Sequence, residues 1–203
     1  GLIREAIDLK LLPIHCLIRP RPGHFFYSKE EIKVIEKNIL NASELGCDGV
    51  VVGAHDQNFK LDFSLLKRWK TLAGSVKITF HRAFDVLVNP LDAINQLIDL
   101  GFDSILTSGQ KEKAEEGIDN LNYWNTKFGS NIIIMPGSGV GVSNCKKFKK
   151  AGFKYIHLSA GKDIQPIPMP DGINQNLSFL KQTIRHSNKQ TLIDVVKALK
   201  SVE

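Results

Sequence analysis

An α/β fold built on a parallel sheet is what this sequence predicts, on three observations. Short, nearly continuous apolar runs recur along the chain, longer amphipathic stretches separate them, and several of those stretches stop at a glycine just before the next apolar run. Strands covered on both faces read as unbroken Val/Ile/Leu runs, and parallel strands need crossover helices between them. With 203 residues, 42% of them hydrophobic and 24% charged, one soluble globular domain over 1–203 is the expectation.

The strands are expected at Ile14–Arg19, Gly49–Gly53, Val76–Phe80, Ser104–Thr107, Asn131–Met135 and Tyr155–Ser159. Gly1 opens directly into a helix-like segment. Ser28–Leu45 begins with the capping box Ser28-Lys29-Glu30-Glu31 and carries Ile32, Ile35, Ile39 and Leu40 at helical spacing. Asp62–Leu72 follows the second strand. Asn89–Leu100 has Asn89 as cap and Pro90 at the first helical position. Lys111–Phe128 and Ser143–Ala151 complete the set. Gly46, Gly101 and Gly152 are expected to stop three of these helices in the left-handed conformation. Further on, Gly161–Asn174 reads as a proline-containing loop (Pro166, Pro168, Pro170), and Leu177–Arg185 and Thr191–Val202 read as helices. Six strands suit either an open doubly wound sheet or part of an eight-stranded barrel, for which about 200 residues is the lower limit.

The formal charge of +6 favours anionic ligands. Much of it is lysine on helix faces, as in Lys146-Lys147-Phe148-Lys149-Lys150, which reads as solvated surface. No recognition motif or aromatic stacking pattern points to nucleic acid. No apolar run reaches the roughly 18 residues of a membrane span, and no signal peptide is visible. Cys16, Cys47 and Cys145 are far apart and form no CxxC pair, so neither a disulfide framework nor a zinc site is expected, and a reducing cytoplasm fits best.

Parallel β/α folds bind ligands outside the carboxyl ends of their strands. The first strand runs into Arg19-Pro20-Arg21, and alternation puts His15, Leu17 and Arg19 on one face with Cys16 on the other. The third ends in His81-Arg82-Ala83-Phe84-Asp85, the densest polar cluster in the chain. There His81 is a candidate for proton transfer and Arg82 for holding an anion, while Asp85 either joins them or pairs with Arg82 to lock the loop. Thr107 and Ser108 after the fourth strand either bind a ligand oxygen or cap the next helix. Gly137 and Gly139 after the fifth, with Ser159 and Lys162 after the sixth, suggest an anion site of backbone N–H groups and a cation. Tyr155, His157 and Ser159 share one face of the last strand, a polar set suited to a barrel interior. The expected pocket gathers Arg19, Arg21, His81, Arg82, Asp85, Thr107, Ser108, His157 and Ser159 around one mouth, for a small anionic ligand.

These strand-end motifs, in this order, resemble the CutC copper homeostasis protein family. The resemblance rests on Ile18-Arg19-Pro20-Arg21 with Gly23 to Tyr27, Asp48 to Ala54, Thr79-Phe80-His81-Arg82-Ala83-Phe84-Asp85, Leu100-Gly101-Phe102 with Leu106-Thr107-Ser108-Gly109, Met135-Pro136-Gly137-Ser138-Gly139, and Ile156-His157 with Ser159. It covers Gly1 to about Lys162. It implies a TIM (β/α)8-type barrel of which this chain carries about six of the eight strands, the first two preceding the segment that matches Gly1. It also implies a cytoplasmic protein of copper homeostasis with Cu(I) binding. The chain departs from the family at His24, where the family has an acidic or small residue, and at Ser138, where it has glycine. The family's cysteine-bearing second strand is absent, and Cu(I) wants soft sulfur ligands. The alternative is a barrel enzyme acting on a small anionic or phosphorylated substrate, with His81 moving a proton and the arginines holding charge. An open barrel exposes sheet edges, so a homo-oligomer is expected.

Overall fold

The computed structural model describes residues 1–164 and 169–201. Five strands form one parallel sheet in sequence order: β1 (His15–Leu17), β2 (Gly49–Val52), β3 (Lys77–Phe80), β4 (Ser104–Thr107) and β5 (Ile133–Pro136). Helix α1 (Leu2–Asp8) precedes β1. Helices α2 (Lys29–Glu44), α3 (Phe63–Ala73), α4 (Pro90–Asp99) and α5 (Ile118–Phe128) connect the strands, and α6 (Cys145–Lys150) follows β5. A doubly wound sheet reverses its strand order at a switch point, whereas the unbroken order β1 to β5 is that of a barrel wall.

The register explains the burial. Cys16 pairs with Val50 and Val50 with Ile78, while Phe80 pairs with Ile105 and Ile105 with Ile134, so these side chains share the outer face. All are buried there, together with Ile35, Ile39, Leu66, Trp69, Ile94, Leu97 and Leu121 from the helices. Burying each of the larger side chains contributes about 1.5–3 kcal/mol. The inner face is more polar. His15, Leu17 and Lys77 are exposed there, and the hydroxyls of Thr79 and Ser104 meet at 2.8 Å.

Local signals act as expected at several ends. Ser28 and Glu31 form the reciprocal capping box, and the Asp62 carboxylate accepts from Leu65 N–H at 3.1 Å. Gly46, Gly101 and Gly152 all have positive φ. Asp48 and Asp103, each just before a strand, accept the N–H of Ile14 at 2.7 Å and of Ile78 at 2.8 Å, stitching each unit to the one before it.

Five expectations need correction. Asn89 occupies the cap position of α4, but its side chain makes no capping bond. The helix expected from Lys111 begins at Ile118, because Ala114 N–H turns away to bond Ser138 O at 3.0 Å. Tyr155–Ser159 is extended but is not an assigned strand. Its tie to β5 is a single bond from His157 N–H to Pro136 O at 2.8 Å. Within Gly161–Asn174, β6 (Gly161–Ile164) pairs antiparallel with β7 (Ile184–Ser187). Leu177–Arg185 is therefore no helix: a 3-10 turn over Ser178–Lys181 leads into β7, non-local pairing having overridden local preference. Pro166 and Pro168 lie outside the described residues. The last helix, α7 (Lys189–Lys200), lies within two residues of its expected bounds.

Candidate functional site at the carboxyl ends of the strands

His81 is the first inner-face residue beyond β3 and is only 4% exposed. Its imidazole lies across Gly53, where a Cβ would come within 2.5 Å of His81 Cε1. Only a glycine lets the ring occupy that place. The Phe25 ring, from the loop after β1, stands 4.8 Å away, and the Arg19 guanidinium sits 4.6 Å from the centre of that same ring. His81 Nδ1 accepts from Ala83 N–H at 3.1 Å, which assigns the ring proton to Nε2. Nε2 is buried and has no hydrogen-bond partner among the described residues. Desolvation, reinforced by the nearby charge of Arg19, pushes the His81 pKa down to about 4. At neutral pH His81 is thus an uncharged N–H donor with its lone pair already engaged, a poor base but a ready donor to an anionic or carbonyl oxygen.

Arg19 and Arg21, two residues apart, do different work. Arg19 is exposed, and Nη2 donates to Gly23 O at 2.8 Å. Arg21 is spent on structure. Its Nε and Nη2 engage the Glu31 carboxylate, Nη1 donates to His24 O at 2.8 Å and Nη2 to Phe26 O at 2.9 Å. The Arg21 guanidinium, as hydrogen-bond partner, holds the Glu31 carboxyl below its usual range. Arg21 therefore ties the loop after β1 to the start of α2, and that anchoring positions Arg19 and Phe25.

Arg82, Asp85, Thr107 and Ser108 form a second group. Asp85 accepts from Arg82 Nε at 2.8 Å, from Thr107 Oγ1, from the N–H and hydroxyl of Ser108, and from Gln110 N–H at 3.1 Å. Arg82 Nη2 donates to Ser108 Oγ at 2.9 Å. Thr107 and Ser108 are both 0% exposed. The knot binds the loop after β3 to the loop after β4 and leaves Arg82 Nη1 without a partner among the described residues. It uses the acceptor capacity of Asp85, the lock already weighed from the sequence.

The third group lies beyond β5. Gly137 has no room for a side chain, since a Cβ would strike Leu106 and stand 3.3 Å from His157 Cβ. Ser138 holds φ +81 and Gly139 φ +68. The Ser138 hydroxyl compensates by donating to Glu112 O at 2.8 Å. The N–H groups of Ser138, Gly139 and Val140 find no acceptor among the described residues. His157 is exposed, while the groups packed around its ring lower its pKa by desolvation. No hydrogen bond or ring contact links it to His81 among the described residues. Ser159 lies beyond it and receives Gly161 N–H at 3.5 Å. Lys162 belongs to β6, paired with His186.

Sequence reasoning passed over Phe25, Gly53 and Gln110. Phe25 and Gly53 sit in motifs read for other residues, and Gln110 acts through its backbone, which no side-chain pattern betrays. It also missed the meeting of Cys16 and Cys47, whose sulfurs approach to 3.4 Å on the outer face. Burial pushes the Cys47 thiol up to about 11. No group of three or more His, Cys, Asp or Glu suited to a metal ion occurs among the described residues, and no helix among them is long and apolar enough to cross a membrane.

The CutC family model matches residues 1–162. A relative from Proteus mirabilis, named a family protein CutC, is 43% identical over 162 residues, 80% of this chain and 64% of its own. One from Pectobacterium atrosepticum is 40% identical over the same shares. The chain thus spans somewhat less than two thirds of these relatives. Among solved structures, a putative copper homeostasis protein CutC from Streptococcus agalactiae superposes with a TM-score of 0.74 at 32% identity, over 77% of this chain and 79% of its own. An aldolase, at TM-score 0.58 and 13% identity over 76% of this chain and 72% of its own, shares the fold alone.

Proposed function

This chain belongs to the CutC family and has its TIM-type barrel fold, and on that premise we propose that it serves copper homeostasis through a small anionic ligand held at the strand-end mouth. The observation that carries this reading is His81 Nε2–H, buried without an acceptor among the described residues and beside the Arg19 cation. A buried donor left unpaired costs about 1–3 kcal/mol, which a ligand oxygen would recover. Arg19, Arg82 Nη1 and the N–H groups after β5 add positive potential and further donors. Such a mouth repels Cu(I) and attracts phosphate or carboxylate. If the ligand is turned over, His81 polarises its oxygen rather than removing a proton. Titration of the whole chain with inorganic phosphate and small carboxylates, followed by calorimetry, tests this. Binding that weakens tenfold or more in Arg19→Ala and is unchanged in Cys47→Ser is expected. No binding, or binding indifferent to Arg19, overturns the reading.

A second reading, direct Cu(I) binding, has its own observation. Cys16 and Cys47 bring two soft sulfurs together. Cu(I) titration of the reduced chain against a competing chelator tests it, and stoichiometric uptake lost in Cys16→Ser is the supporting result.

A further inference from the structure

Cys16 lies at the centre of β1, on the helix-covered face, and Cys47 in the turn between α2 and β2. The two are 31 residues apart in sequence, yet their sulfurs are 3.4 Å apart. The residues are 7% and 3% exposed. Strand β1 is three residues long, lies at the sheet edge, and pairs only with β2 within the described sheet. Cys145 is also buried, but its sulfur points to Val142 O at 3.7 Å, far from forming a pair. We infer that Cys16 and Cys47 are a redox pair that a peroxide closes into an intramolecular disulfide, cross-linking β1 to the turn before β2.

The chemistry balances with the peroxide as the only oxidant. One thiol, Cys16 being the more exposed, attacks the peroxide, breaks its O–O bond, becomes a sulfenic acid and releases water. The neighbouring thiol then attacks that sulfur. The S–S bond forms, the S–OH bond breaks, and a second water leaves with the thiol proton. Two electrons pass from the pair to the peroxide, and a dithiol reductant reverses the change. The sulfurs are 3.4 Å apart, so the second step joins two neighbouring atoms and draws them in to the roughly 2.05 Å of an S–S bond. The inference is independent of the anion-binding mouth and concerns the pair only when free of metal.

The test uses the whole chain, stripped of metal by a chelator, treated with hydrogen peroxide and then mapped. Expected are the loss of two of the three thiols, a mass lower by two hydrogens, a proteolytic fragment joining the Cys16 and Cys47 peptides, and full recovery with dithiothreitol. The thermal midpoint of the oxidised chain should rise by on the order of 5–10 °C, because the cross-link restricts the unfolded chain. Cys145→Ser should keep the link and Cys47→Ser should lose it. Should Cys47→Ser fail to fold, the wild-type peptide map still decides. Loss of Cys145 at the same rate, sulfinic acid with no joined peptide, or links only between molecules would overturn the inference. Each of those results leaves phosphate binding and the Cu(I) titration free to succeed or fail separately.

Discussion

Asp85 accepts the backbone N–H of Ser108 at 3.0 Å, and the Ser108 hydroxyl stands between that carboxylate, also at 3.0 Å, and Lys111 O, so the loop after β3 carries the acceptor that shapes the loop after β4. Arg82 closes the arrangement by bonding both partners. Two neighbouring strand ends are thus tied together through one carboxylate.

Removing the shared acceptor should be costly. Asp85→Ala strands the Ser108 and Gln110 N–H groups and the Arg82 charge, and a loss of about 3–5 kcal/mol in a urea unfolding experiment is expected. Thr107→Val alone should cost about 1 kcal/mol. The double variant should lose less than the sum, since both changes break the same contact.

His81 sets a pH dependence. Its folded pKa of about 4 lies below the ordinary 6.5. Between those values the unfolded chain binds the proton that the folded chain refuses. Stability therefore falls as pH drops from about 6.5 to about 4, by roughly 1.4 kcal/mol per pH unit from this residue. Above pH 6.5 the effect vanishes. NMR titration of the imidazole checks it: His81 should stay neutral at pH 5.5 and show its proton on Nε2, and a midpoint near 6.5 would contradict the geometry.

Gly53 is the floor on which His81 rests. Gly53→Ala should expel the imidazole, cost about 1–3 kcal/mol, and raise the His81 pKa as the ring meets water. Gly141→Ala serves as the comparison, because nothing lies within 4 Å of the added methyl there, and its stability should be near wild type.

Ser138 stands in a conformation that suits glycine, and its hydroxyl offsets the strain by bonding Glu112 O. Ser138→Ala keeps the strain and loses the bond. It should be less stable than Ser138→Gly by about 1 kcal/mol in thermal unfolding.

Much of the architecture was readable in the chain itself. The Ser28–Glu31 box, the helix-stopping glycines Gly46, Gly101 and Gly152, and the apolar runs at Val50, Ile78, Ile105 and Ile134 act over a few residues, so their outcome is written where they stand. The strand ends Arg19, His81 and Ser108 were legible too, because parallel strands deliver their last residues to one side. Tertiary structure alone decided what each of those side chains does. Arg19 and Arg21 look equivalent in Arg19-Pro20-Arg21, yet Glu31 takes the second and leaves the first beside His81. Asp85 was a catalytic candidate until the N–H groups of Ser108 and Gln110 filled its lone pairs. The β6–β7 pairing and the contact of Cys16 with Cys47 join residues 20 or more positions apart. The physical reason is range. Capping, glycine geometry and periodicity are settled within one turn or strand, whereas a donor's free lone pair or proton depends on which distant group the packed chain brings against it.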